Sequence, residues 1–150
     1  MSIRRNFTVD ELTPLKDAGP VAVSARAQVA SADKIIDLGE GFVEGNIVLD
    51  ISAIEGDSND EIFDVVAQLS SDNDFSDKNT VIERCSMTFC CKEVARTDGT
   101  VDGVAGRFIL PFDNEFGGTI YRYLSLYTVV AGTIVTGINY TARLAKRNAG

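Results

Sequence analysis

An all-β sandwich of about eight strands is predicted by three observations. Residues 107–145 fall into three runs rich in aromatic and β-branched residues, RFILPF, TIYRYLSLYTVV and TIVTGINYTARLA. Residues 46–54 alternate, with Ile47, Leu49, Ile51 and Ala53 on one face and Val48, Asp50 and Ser52 on the other. Polar, Gly-bearing turn segments separate such runs along the chain, and no stretch has the period and length of a helix.

Taken in order, residues 1–20, MSIRRNFTVDELTPLKDAGP, mix charge with Pro14, Gly19 and Pro20 and are expected to form an N-terminal arm. Residues 9–12 have room for one helical turn before Pro14 stops it. A single domain is expected over residues 21–150. VAVSARAQVA and residues 34–38 supply its first strands, and Gly39, Gly41 and Gly45 give the following loop its backbone freedom. Residues 46–54 are expected to pair with residues 62–70 across the turn EGDSNDE. The turn SSDNDFSDKN then leads to strands over residues 80–84 and 86–93, and the Gly-rich TDGTVDGVAG to residues 107–112. This pattern specifies a sandwich or barrel and leaves the strand order open, because periodicity is blind to pairing.

With 150 residues and 45% hydrophobic content, the chain can bury one core without covalent staples. A net charge of -8 and a pI near 4.5 argue against nucleic acid as a partner, since phosphate contact requires clustered Lys and Arg. No apolar run approaches the roughly 18 to 20 residues of a membrane span, and Arg4 and Arg5 follow Ile3 too closely for a secretory leader. A soluble protein made in a cytoplasm is expected. Charge is uneven: residues 50–77 hold nine acids and no base, whereas Arg143, Lys146 and Arg147 make the C-terminal tail basic. Such opposite regions have the chemistry to pair between neighbouring subunits. Cys85, Cys90 and Cys91 form an odd set without a CxxC pair and read as small buried hydrophobes in a reducing compartment.

The chain has no histidine, which removes the Ser-His-Asp and Cys-His nucleophile arrangements and imidazole metal triads. It also lacks a phosphate-binding P-loop and a GxGxxG fingerprint. Two acidic clusters, Asp57, Asn59, Asp60 and Glu61 in one loop and Asp72, Asn73, Asp74 and Asp77 in another, contain oxygen ligands of the type calcium takes if the loops adjoin. The second cluster departs from an EF-hand loop at its sixth position, Asp77, where glycine is required. Asp57 with Asp72 is likewise the carboxylate pair to consider for glycoside hydrolysis, but the chain has no Trp to line a carbohydrate cleft. No catalytic, cofactor or metal site is expected, and the protein is not expected to be an enzyme.

In TIYRYLSLYTVV, Ile120, Arg122, Leu124, Leu126 and Thr128 alternate with Tyr121, Tyr123, Ser125, Tyr127 and Val129. The leucines place the first set against a core, and the three tyrosines then cover the other face with apolar rings and polar tips. Tyrosine is enriched in protein interfaces. Tyr121, Arg122, Tyr123 and Tyr127, with Arg4, Arg5 and Phe7 of the arm, are therefore the candidate contacts to another protein.

Three segments resemble the small cement, or head-decoration, proteins of tailed bacteriophages. They are KIIDLGEG with the following NIVLDISAI strand, VVAQLSSDNDFSD, and RYLSLYTVVAGTIVTGINYTARL, spanning residue 34 to the end. The resemblance implies a jelly-roll β-sandwich that sits as a homo-oligomer, dimer or trimer, on the outer surface of the virion head and bridges major capsid protein subunits. It implies no catalytic residue and no cofactor, and it covers neither the first twenty residues nor the cysteine-bearing strand. A carbohydrate- or receptor-binding virion module, through calcium at Asp57 and Asp72, and a tail or fibre-base protein are the alternative expectations.

Overall fold

A computed structural model of the chain describes residues 13–91 and 103–146. Among these residues the regular structure is entirely β. The strands are β1 (Pro14–Lys16), β2 (Pro20–Val21), β3 (Ala25–Arg26), β4 (Gln28–Val29), β5 (Ala32–Asp33), β6 (Ile36–Asp37) and β7 (Glu44–Ile54). They continue with β8 (Ile62–Ser70), β9 (Val81–Cys90), β10 (Gly106–Asp113), β11 (Glu115–Phe116), β12 (Thr119–Ile120), β13 (Tyr123–Ala131) and β14 (Ile138–Lys146).

Two antiparallel sheets form the sandwich. The first has the order β1-β14-β7-β10, with β2 also on β14; the second has β3-β13-β8-β9, with β6 also on β13. Merging β1 with β2 and β3 with β6, and counting the long strands in sequence, gives orders 1-8-3-6 and 2-7-4-5. The expected hairpin between residues 46–54 and 62–70 is absent. β7 pairs with β10 and β14 while β8 pairs with β9 and β13, so EGDSNDE crosses between sheets. Alternation revealed both strands but carried no information about which neighbour each would choose.

The inner faces meet in one apolar core. Ile47, Leu49 and Ile51 of β7 and Ala142 and Leu144 of β14 face Phe63, Val65, Ala67 and Leu69 of β8 and Leu124 and Leu126 of β13. Burial of this kind contributes about 25 cal/mol for each Å² of apolar surface removed from water. One polar pin crosses the core: Thr128 Oγ1 and Tyr140 Oη lie 2.6 Å apart, and burial pushes the Tyr140 phenol up to about 12. Lys16 Nζ stands 4.5 Å from the Tyr140 ring centroid and donates to the carbonyls of Asp17, Gly19 and Tyr140. These bonds compensate a buried ammonium whose pKa desolvation lowers.

Several boundaries move. Strand pairing begins at Pro14, not after residue 20: β1 and β2 both hydrogen-bond to β14, so residues 14–20 belong to the sandwich. VAVSARAQVA is broken into β2, β3 and β4, because β4 and β5 form a separate small hairpin whose tip, Ala30 and Ser31, has positive φ. Ala53 is exposed, because the register shift between Asn139 and Tyr140 leaves Ser52 without an opposite residue and turns the end of β7 over. The expected strands at 80–84 and 86–93 join into one strand, β9, which ends at Cys90 and has an irregularity at the step from Ala67 to Gln68 on its partner; residues 92 and 93 lie outside the described residues. Of the three cysteines expected to be buried, Cys91 is buried and Cys85 and Cys90 are half-buried, and burial pushes the Cys85 thiol up. The possible helical turn at residues 9–12 and the C-terminal Arg147 lie outside the described residues.

Candidate protein-interaction surface

The strand registers sort the loops into two ends. Glu44 lies opposite Asp113 and Tyr123 opposite Ser70, which gathers the loops 38–43, 71–80 and 114–122 at one end. Ile54 lies opposite Ile138 and Ile62 opposite Ala131, which gathers the loops 55–61 and 132–137 at the other.

Three of the four candidate contacts within the described residues sit together at the first end, and the fourth, Tyr127, lies four residues along β13. Arg122 makes a two-pronged ion pair with Asp37, at 2.8 and 2.9 Å, and a second pair with Glu40 at 3.5 Å. Its guanidinium lies 5.5 Å from the Tyr123 ring centroid. The Arg122 hydrogen bonds, helped by the Gly39 N–H, hold the Asp37 carboxyl down at about 2, and Asp37 in turn raises Arg122. Tyr127 is half-buried beside Arg26, whose guanidinium stands between the rings of Phe75 and Tyr127, at 4.8 and 5.4 Å. The arm candidates Arg4, Arg5 and Phe7 lie outside the described residues.

The expected row of three tyrosines is corrected to two. Tyr121 and Arg122 fall between β12 and β13, and the break lets Tyr121 pack against the core while Ile120, expected inward, is exposed. The strand breaks because residues 115–120 form a two-residue β-ribbon of their own, with Glu115 opposite Ile120. Gly117 and Gly118 supply the positive φ values at its tip. Ser125, on the tyrosine face, is fully covered and donates to the Lys34 carbonyl at 2.8 Å.

Asn114 was not singled out from the sequence and organises this end. It is fully buried; its Oδ1 accepts from Val43 N at 2.7 Å, and its Nδ2 donates to the carbonyls of Gly41 and Tyr121 at 3.0 and 2.9 Å. Its main chain also bonds Val43 and Tyr121. The loop 38–43 and the ribbon 115–120 are thereby fixed side by side, presenting Phe42, Phe116 and Ile120 at 54%, 49% and 42% exposure. A lone Asn in a turn is too common a signal to reveal such a role from sequence.

The acidic clusters serve differently from a calcium site. Loops 55–61 and 71–80 leave opposite ends of the nine-residue β8, so Asp57 and Asp72 stand about 30 Å apart and share neither a cation nor a scissile bond. Glu55, buried at the second end, accepts from the consecutive N–H groups of Val135, Thr136 and Gly137. Asp60 accepts from the N–H and hydroxyl of Thr133, and the fully buried Glu61 accepts from Ser58 and Asp60 N–H. In the other loop, Asp74 and Asp77 accept from Ser76 and Asn79 N–H two residues on.

Compared with protein-family models, with curated protein sequences and with solved structures, the chain matches none.

Proposed function

We propose that this chain is a cement protein of a tailed-bacteriophage head, a jelly-roll sandwich that binds the outside of the shell as a homo-oligomer and bridges neighbouring major capsid subunits. One observation carries the reading. The three segments that resemble the cement family are separate in sequence, yet parts of all three surround the start of β13, and the NIVLDISAI and INYTARL strands, β7 and β14, pair with each other in the facing sheet. KIIDLGEG contributes Asp37 and Glu40 to Arg122, and VVAQLSSDNDFSD contributes β8 alongside β13 and Phe75 beside Arg26. RYLSLYTVV supplies Arg122, Tyr123 and Tyr127. The resemblance therefore falls on one connected framework. The strand orders 1-8-3-6 and 2-7-4-5 support its jelly-roll part, since paired Greek keys generate that interleaving.

The mechanism is mass action. A protein that binds the assembled shell better than its separate subunits stabilises the shell in proportion to RT ln(1 + [L]/Kd). Interfaces of about 800 Å² per partner suffice when many copies act on a repeating lattice. Rigid loops suit this task, because ordering on binding then costs little.

Cryo-electron microscopy of purified particles with and without this polypeptide tests the reading. Expected are extra density on the outer head surface at a symmetry position and a lower heat-disruption temperature for the particles lacking it. Density confined to the tail or fibre base, or particles equally robust without the polypeptide, would overturn it.

A further inference from the structure

Arg26 differs from Arg84, Arg107 and Arg122, which meet the carboxylates of Asp113, Asp50 and Asp37 respectively. Its guanidinium stands between the rings of Phe75 and Tyr127, at 4.8 and 5.4 Å, and its Nη1 is buried without a hydrogen-bond partner. Burial lowers its pKa, and Asp33 and Tyr127, which act on it through space, do not restore it. Asp33 Oδ1 instead accepts from Gln28 Nε2 at 3.2 Å. The desolvation of this charged donor is therefore uncompensated. The other buried side-chain atom without a partner among the described residues, Gln68 Oε1, belongs to the same outer face of the second sheet, since Arg26 lies opposite Tyr127 and Gln68 opposite Ser125 on β13. Unmet polar groups are thus concentrated on one face.

The loop that brings Phe75 to this face is separable from the rest of the fold. Among the described residues, the hydrogen bonds of residues 71–79 all end within residues 70–80: Asp72 N–H on Ser70, Asp74 N–H on Asp72, Ser76 on Asp74 and Asn79 N–H on Asp77. Swinging Phe75 away from Arg26 therefore breaks no hydrogen bond to another segment. Arg26 also borders a groove of about 530 Å³ walled by residues between Lys16 and Ser31. A planar guanidinium held between two rings, with a donor unpaired, selects a planar anion that offers two oxygens, which is a carboxylate.

We propose that Arg26 is the receptor for a carboxylate, admitted when the Phe75 loop swings aside and bound through Nη1. The groove gives space for the molecule that carries it, so an acidic side chain of a partner protein and a free organic acid are the two sources. The site is independent of whether the protein decorates a shell.

The test titrates the full chain, isotope-labelled at arginine, with sodium acetate and follows the Arg26 side-chain N–H resonances by NMR. Sodium chloride, sodium phosphate and acetamide at matched concentrations are the controls. The expected result is a saturable shift with acetate that none of the controls reproduces. Phe75→Ala removes the cover, so a larger fraction of molecules is competent and the acetate Kd should fall at least about threefold. A blocked Ala-Asp-Ala peptide that binds tighter than acetate would assign the site to a protein side chain, and equal affinity would assign it to a free acid. A shift that does not saturate, an equal or larger response to any control, or an unchanged or raised Kd in Phe75→Ala would overturn the proposal.

Discussion

The two ends of the sandwich are built from similar loop sequences and hold themselves together in opposite ways. At the end formed by residues 55–61 and 132–137, three carboxylates turn inward and accept backbone N–H groups, so their charge is spent on fixing loops. At the other end the neutral amide of Asn114 joins loop 38–43 to the ribbon 115–120, Asp74 and Asp77 accept backbone N–H groups only within their own loop, and the charges of Asp37, Glu40 and Arg122 remain outside in exposed ion pairs. The first end is a structural joint between sheets. The second keeps the charged and aromatic groups of Arg122 and Tyr123 where a partner can add contacts.

The largest effect that would break this comparison is expected at Gly137. Its φ is +83°, and a Cβ there would overlap the Val21 carbonyl oxygen. Gly137→Ala should cost about 3 kcal/mol or more, since strain and overlap add; a urea midpoint close to that of the unaltered protein would show the joint to be soft. Asn114→Ala comes next. Removing its side chain leaves Val43 N–H and the Gly41 and Tyr121 carbonyls unpaired, an expected loss of about 2 kcal/mol. Hydrogen exchange should then accelerate in residues 38–43 and 115–121 and stay unchanged in 132–137. Acceleration spread over both ends would mean that they are not separate units.

The sandwich class was legible because alternation in residues 46–54 and the leucines of β13 reflect burial, which composition records directly. Pairing was not. Residues 46–54 and 62–70 look like a hairpin, and only the pairing of β7 with β10 and β14 and of β8 with β9 and β13 reveals a crossover. The same limit blurred the candidate site. Arg122 was identifiable as an unusual charge among aromatics, but its partners Asp37 and Glu40 lie more than eighty residues away. Period two also carried the tyrosine row through Tyr121, because nothing in TIYRYLSLY announces that residues 119 and 120 pair with their own ribbon first. In EGDSNDE, acceptor-rich side chains looked available for calcium, since whether a carboxylate faces water or backbone N–H is decided by tertiary placement.

A smaller and pH-dependent effect is expected at Glu55. Hydrogen bonds from Gly137 N–H, and then from Val135 and Thr136, hold its carboxyl below the ordinary 4.5. The folded state thus resists protonation more than the unfolded one, so the stabilisation is fully present above pH 4.5 and is lost as pH falls through the lowered folded value. Glu55→Gln, which faces those N–H groups with a neutral amide, should be less stable at pH 7, and its deficit should shrink progressively below pH 4.5. Denaturation midpoints of the two proteins measured from pH 7 to pH 3 check this. A deficit that stays constant across that range would mean that shape, not charge, holds the loop 132–137.

The smallest effect on folding, and the sharpest on the comparison, is expected from Arg122→Ala. Both partners of the Asp37 pair are substantially exposed, so water and salt screen it, and the variant should unfold at a midpoint indistinguishable from the parent. Its signature is local. The Asp37 carboxyl, held at about 2, should rise toward 3.8 without reaching it, because the Gly39 N–H still donates to it. Carbon-detected NMR titration of the Asp37 carboxyl reads this shift directly. If the exposed end is the contact surface, the same variant loses affinity for heads while keeping its fold, whereas Glu55→Gln loses stability while keeping its contacts. A double dissociation of that form separates a group held for binding from one held for structure, and equal behaviour of the two variants in both assays would collapse the distinction between the ends.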